Sequence, residues 1–204
     1  LPGELVDGIV SREQSIDLGG ARREVTILFA DVVRFTPLCD ELEPETVVTI
    51  LNELFTILTE IVFRYDGTVD KFIGDSVMAF WGAPRPMEDH AAQALEAAEE
   101  MVRWLDAGNA RWQEQYGVEI ELAVGVHTGS AVVGNVGSDR RMDYTVVGRN
   151  VNVAARLEAL AKPMQILTTT ATREAAGPGF EMRSLGRETI DTDGGEVELL
   201  EVVL

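Results

Sequence analysis

Basic residues are scarce in this chain of 204. Only 17 Lys and Arg stand against 35 Asp and Glu, a net charge of −18. A surface of that sign repels nucleic-acid backbones and anionic membrane surfaces at long range, so no nucleic-acid partner is expected. It also repels a free nucleoside triphosphate. A nucleotide enzyme built on this chain must therefore neutralise phosphates locally, with metal ions or a few placed cations. Cysteine is nearly absent. The single Cys39 cannot form an internal disulfide, which fits a reducing compartment and an expected cytoplasmic location. No run of 18 consecutive apolar residues occurs, so no direct membrane insertion is expected. The leading Leu1-Pro2-Gly3-Glu4 has neither the charged region nor the apolar stretch of a signal peptide, and no initiator Met. A fragment of a longer chain is the expectation. There is no glycine-rich loop of the Walker type, no internal repeat and no low-complexity tract.

What is present reads as one domain. Residues 1–20, with Gly19-Gly20, read as a leading segment or linker, and 21–204 as the domain proper. Val25-Thr26-Ile27-Leu28-Phe29-Ala30 is an apolar run that ends at Asp31, the pattern of a strand buried on both faces. Pro44 opens a helical pattern carried by Val47, Leu51, Leu54, Phe55, Leu58, Ile61 and Val62, which Asp66-Gly67 stops. Strands are expected at 67–73 and 76–81 around a Gly74-Asp75 turn. A second helix is expected at about 88–107, with Gly108 as its C-cap. Strands follow at 118–127, 130–135 and 142–147, then a helix at about 149–161. The end of the chain reads as strand 165–168, helix 169–176 and a hairpin of 180–190 with 196–203. The leading order, strand-helix-strand-strand-helix-strand, predicts an α+β fold. Its core is ferredoxin-like (βαββαβ), an antiparallel sheet with helices on one face, extended by the C-terminal hairpin.

Two acidic residues stand where chemistry needs them. Asp31 ends a buried strand, and Asp75 occupies a tight turn between two apolar strands. Nucleotidyl transfer uses cations that clamp the attacking and leaving oxygens. Hard divalent ions take few protein ligands beside phosphate oxygens, so two aspartates suffice. Asp is also common in turns and at strand ends, so spacing alone leaves both readings open. After Asp31, Val32-Val33-Arg34-Phe35-Thr36 leads into a candidate short helix whose first N–H groups suit phosphate oxygens.

Four segments taken in order resemble the class III adenylyl and guanylyl cyclases. They are Val25–Asp31 with Phe35-Thr36, Lys71-Phe72-Ile73-Gly74-Asp75, Gly125-Val126-His127-Thr128-Gly129, and the run from Gly134-Asn135-Val136-Gly137 to Val151-Asn152-Val153-Ala154-Ala155-Arg156. The resemblance covers about residues 22–203. It implies that Asp31 and Asp75 bind two Mg²⁺ or Mn²⁺ ions per site. It implies that Lys71 and Thr145 select the base, that Phe35 and Thr36 line the substrate site, that Asn152 orients the ribose, and that Arg156 stabilises charge on the reacting phosphate. A lysine donor beside a hydroxyl acceptor suits adenine; guanine would be read better by a Glu than by Lys71. The implied activity is that of an adenylate cyclase, a phosphorus–oxygen lyase converting ATP to 3′,5′-cyclic AMP and pyrophosphate. In the family one subunit gives the two aspartates and the other gives the residues matching Lys71, Thr145, Asn152 and Arg156. All are present here, so a homodimer with two shared sites is implied, with a sensor domain upstream in the longer chain.

Other outcomes remain open. A guanylate cyclase differs only in base choice. A catalytically weak dimerisation or signalling module would keep the fold without the chemistry. The lysine that in the family binds triphosphate near the C-terminal hairpin falls here on Asp191 or Asp193, which favours that module, and the complete set of six site residues opposes it. No Gly-Gly-Asp/Glu-Glu-Phe motif of a diguanylate cyclase occurs. His90 and His127 are expected to be structural.

Overall fold

The first strand, β1 (Gly19–Val32), alternates its side chains between two cores. Leu28, Ala30 and Val32 enter one, and Val25, Ile27 and Phe29 enter the other. That two-sided burial is what a continuous apolar run specifies. The computed structural model describes residues 19–138, 140–190 and 195–204. Gly19-Gly20, expected to belong to a linker, already pair in β1 with Asn135 and Gly134.

After β1 come α1 (Phe35–Glu41) and α2 (Pro44–Arg64), the hairpin β2 (Thr68–Ile73) and β3 (Ser76–Trp81), and α3 (His90–Tyr116). Then follow β4 (Leu122–Ser138), β5 (Arg141–Val147), α4 (Arg149–Leu160), β6 (Gln165–Thr169), α5 (Thr170–Ala176), β7 (Met182–Thr189) and β8 (Glu196–Val202). One sheet has the order β2-β3-β1-β4-β6-β8-β7, and β5 pairs with β4. The first four strands are antiparallel neighbours. The β4–β6 pairing is parallel, so the sheet is mixed and not wholly antiparallel as expected. A parallel pair needs a crossover, and α4 supplies it.

Helices cover both faces, which corrects the one-face expectation. α2 and α3 bury Ile50, Leu54, Leu58, Ala94, Leu95 and Met101 against Leu28, Val77 and Val124. α4 lies on the opposite face, with Ala154 among Val25, Ile27 and Phe29. α2 is 21 residues long and, at a mean hydropathy of 1.7 over its most apolar stretch, apolar enough by composition to cross a membrane. Here its inward stripe, which includes Ile50, Leu54, Leu58, Ile61 and Val62, is buried in the first core.

Two boundaries differ from the sequence reading. α3 does not stop at Gly108 but runs to Tyr116, where Gly117 makes the C-cap. Continuing through a glycine costs about 1 kcal/mol relative to alanine. Burying Trp112, which is 2% exposed and packs edge-on against Trp104, offsets it, since losing such a side chain typically costs about 3–5 kcal/mol. Asn109 also locks the extension, exchanging two hydrogen bonds with the backbone of Ile120 at 2.8 Å. The second difference is β4, a single strand where two were expected. Its Gly129 marks no turn; the Asn150 side chain occupies the space a Cβ would need.

Gly125 governs how α4 docks. A Cβ there would lie 2.3 Å from the Glu158 nitrogen and 2.4 Å from the Ala154 carbonyl oxygen. Both are backbone atoms, so the helix would have to move as a body. Gly125→Ala should destabilise the domain by roughly 1–3 kcal/mol or more by displacing α4. Chemical denaturation of the variant checks this effect, and an undiminished midpoint would show that α4 tolerates displacement.

Candidate active site

Asp31 is the penultimate residue of β1, and Asp75 sits in the two-residue turn joining β2 to β3. The β1–β3 register, which ends at Ala30↔Val77, brings the end of β1 beside that turn. Gly74 holds the turn with φ +64°, a left-handed conformation that costs glycine nothing. The two carboxylates meet closely enough for Asp31 to donate a hydrogen bond to Asp75. Burial, then the Asp75 charge, then that hydrogen bond push Asp31 up to about 6 from an ordinary 3.8. Burial also raises Asp75, while its own backbone N–H and Asp31 hold it down. Of the pair, Asp31 is the one that keeps a proton.

A third carboxylate, not singled out from the sequence, belongs to this cluster. Burial, followed by Asp31 and Asp75, pushes Glu158 of α4 up to about 7 from 4.5. Its place was legible, because it lies one helical turn beyond the buried Ala154 and so shares its sheet-facing side.

A pair of partly buried carboxylates that repel each other is a site short of positive charge. Among the described residues no three His, Cys, Asp or Glu side chains converge on a metal position by themselves. Two carboxylates plus substrate oxygens nevertheless match the ligand habit of Mg²⁺. The donor set therefore fits a hard divalent cation.

The electrostatics give a sign. Asp31 has a folded pKa of about 6, above its ordinary 3.8. Its contribution to stability is thus full below pH 4 and lost as pH rises through 6. Asn mimics the protonated form at every pH. In EDTA, Asp31→Asn should therefore raise Tm at pH 8 and leave it unchanged at pH 4. A Tm difference that did not depend on pH would remove the charge repulsion from this account.

A second cluster forms where β5 reaches β2. Lys71 Nζ donates to Thr145 Oγ1 at 3.2 Å, and it stands 3.1 Å from Asp70 Oδ1. Thr145 Oγ1 in turn donates to Asp70 Oδ2 at 2.5 Å, and the Val146 N–H donates to the same oxygen at 3.3 Å. Thr145 is buried and the Asp70 side chain fully so. Lys71 and Thr145, 74 residues apart, are thus brought together as the sequence reading required. Asp70 was missed, since an acidic residue beside a lysine in a strand looks like a solvated pair.

The remaining expected residues join neither cluster by a hydrogen bond or ion pair among the described residues. Asn152 and Arg156 are exposed on α4, four residues apart; among the described residues neither makes a hydrogen bond or ion pair with either cluster. Thr36 is exposed at the start of α1, whereas the Phe35 side chain packs against the first core. Arg34, immediately before α1, adopts the left-handed conformation, φ 58°. Asp191 and Asp193 lie outside the described residues. Both histidines are structural. His90 bonds Thr26 at 2.7 Å, while His127 bonds Thr169 at 2.9 Å and Asn150 at 3.0 Å. Burial lowers the pKa of each.

Comparison with known proteins agrees with this geometry. Residues 20–201 match the family model of the adenylate and guanylate cyclase catalytic domain. Adenylate cyclase 1 of Rhizobium meliloti is 36% identical over 184 residues, which are 89% of this chain and 28% of that protein. The chain thus spans less than a third of that relative's length. The crystal structure of the adenylyl cyclase CyaB from P. aeruginosa superposes with a TM-score of 0.88 at 33% identity, covering 92% of this chain and 97% of that one. The guanylyl cyclase Cya2 gives 0.83 at 34%, covering 91% and 94%. With nearly the whole described chain matched, and the two aspartates of the motif side by side, this protein belongs to the adenylate and guanylate cyclase catalytic-domain family.

Proposed function

We propose that this domain is an adenylate cyclase, converting ATP to 3′,5′-cyclic AMP and pyrophosphate at sites shared across a homodimer. The observation that carries the base choice is the Lys71–Thr145 contact. It offers a donor beside an oxygen acceptor, complementary to the acceptor nitrogen and amino group on adenine's pairing edge. The observation that carries the chemistry is the Asp31–Asp75 pair, which would hold two Mg²⁺ or Mn²⁺ ions. Bound there, the ions supply positive charge that eases ionisation of the ribose 3′-hydroxyl and binds the triphosphate.

The chain's own residues do the rest. Asn152 orients the ribose so that the 3′-oxygen lies in line with the α-phosphorus. As the new P–O bond forms, the bond to the bridging oxygen breaks and pyrophosphate departs. Arg156 presents planar donors to the charge that builds on the phosphate. Phe35 and Thr36 open α1 beside the triphosphate, with the half-buried Phe35 side chain also packed against the first core. The order β2-β3-β1-β4 with its two intervening helical connections supports reading the leading half as a ferredoxin-like core, and the antiparallel β7–β8 pair as its hairpin extension.

Two features support the dimer. Asn152 and Arg156 are exposed and, among the described residues, make no hydrogen bond or ion pair with Asp31 or Asp75 of their own chain. Phe72, Ile73, Val132, Val136 and Val147 also leave apolar surface exposed on β2 and the β4–β5 arm, with Val132 and Val147 paired across it. We further propose an upstream sensor in the full-length protein, because relatives are much longer than this chain, and a cytoplasmic location.

A turnover assay tests the proposal. With Mg²⁺ or Mn²⁺, ATP should be cyclised in preference to GTP, and specific activity should rise with protein concentration. Preference for GTP would make the protein a guanylate cyclase. No turnover at any concentration would favour the signalling-module reading.

A further inference from the structure

The β2 strand carries a bulge. Its register with β3 runs Val69↔Ala79 and then Lys71↔Met78, so Asp70 is the extra residue. Consecutive residues of a regular strand point to opposite faces. The bulge cancels that alternation, and Asp70 and Lys71 both reach Thr145. Bulges commonly re-aim a side chain in this way.

The hydrogen-bond inventory of the cluster is then fixed. A threonine hydroxyl has one hydrogen and two lone pairs, and a carboxylate only accepts. The Thr145 hydrogen goes to Asp70 Oδ2, and one Thr145 lone pair receives Lys71 Nζ. One acceptor position is left. The hydroxyl cannot turn its hydrogen outward without taking a donor away from a fully buried carboxylate. Meanwhile Asp70 Oδ1, which has no other hydrogen-bond partner among the described residues, holds the Lys71 ammonium at 3.1 Å.

We infer that Asp70 sets the base preference of the site, by holding the Thr145 hydroxyl as an obligate acceptor and the Lys71 ammonium beside it as donor. Asp70 is a positioning residue, since it acts through its two neighbours. Guanine carries a carbonyl oxygen where adenine has its amino group, and an N–H where adenine has an acceptor nitrogen. In the same pose it would set acceptor against acceptor and donor against donor. The inference rests on the adenylate reading of the site.

The test compares kcat/KM for ATP and GTP in the intact domain and in Asp70→Asn. The substituted amide can still bond Thr145, but only by turning its N–H groups toward the Lys71 ammonium, or by the reverse orientation, which frees the hydroxyl hydrogen. The ATP:GTP ratio of kcat/KM should fall by about tenfold or more, the scale of one misplaced polar contact. In a Thr145→Val background the same change should leave the ratio within about twofold, because the group through which Asp70 acts is gone. A residue that merely tied β2 to β5 would lower both nucleotides alike. An unmoved ratio in Asp70→Asn, or an equal shift with and without the Thr145 hydroxyl, overturns the inference. If Asp70→Asn does not fold, the wild-type protein decides. The Thr145 hydroxyl proton should exchange slowly enough with water to be seen by NMR, and rapid exchange overturns the inference. A wild-type enzyme that prefers GTP would instead defeat the adenylate reading, while an ATP-preferring enzyme with an unmoved ratio defeats only the role of Asp70.

Discussion

Asp31→Ala and Asp75→Ala are each expected to reduce cyclisation by roughly a thousandfold or more while leaving the fold intact. The physical reason is that both carboxylates serve one purpose. Each is partly buried and raised in pKa by burial, so neither stabilises the metal-free fold by being ionised there. What they contribute is a pair of anionic oxygens where a polyanionic substrate must be brought next to protein. Losing a single preorganised charge-stabilising group typically costs about 10²–10³ in kcat, and removing a cation clamp removes more than one such interaction. Circular dichroism and thermal melts should show a native domain. A variant retaining more than about a tenth of wild-type turnover with Mg²⁺ would falsify the two-metal assignment.

The second large effect concerns the geometry between subunits. Arg156→Ala should also be nearly inactive, by about 10²–10³, because in the role proposed for it Arg156 would meet charge that exists only in the transition state. Mixed with Asp31→Ala, it should recover. Random exchange makes about half the dimers heterodimers, each with one site free of both changes, so activity should return to about a quarter of wild type. Arg156 is exposed and makes no ion pair with Asp31 or Asp75 of its own chain among the described residues, as expected of a residue that meets the partner's aspartates. Proven subunit exchange without recovery would place the whole site within one chain.

Much of this was legible in the sequence. β1 announced itself because a central strand with both faces covered must be apolar throughout, and Val25–Ala30 is. The hairpin around Gly74-Asp75 was equally plain, since the turn needs a left-handed residue and glycine supplies it. Errors came where tertiary packing overrode a local signal. Gly108 looks like a helix end, but Trp112 and Asn109 have partners elsewhere in the fold and carry α3 to Tyr116. Gly129 looks like a turn, but it makes room for Asn150 within one long strand. The site divides in the same way. Asp31, Asp75, Lys71 and Thr145 could be singled out because the order of their motifs is distinctive, and the fold places Asp31 beside Asp75 and Lys71 beside Thr145. Asp70 was not, because a bulge is a matter of pairing register and leaves no mark in composition. Glu158 carried a periodic signal that a search for charged pairs overlooks.

The two clusters share no member. Asp31, Asp75 and Glu158 interact among themselves, and Asp70, Lys71 and Thr145 do likewise. For the history of such proteins that separation matters. On the proposed assignment, a lineage could exchange the base it reads by altering a few hydrogen-bonding groups on β2 and β5, with the aspartate pair left untouched. An adenylyl cyclase and a guanylyl cyclase resemble this chain almost equally, at 33% and 34% identity. On that assignment the choice of messenger would be free to drift independently of the ability to make one.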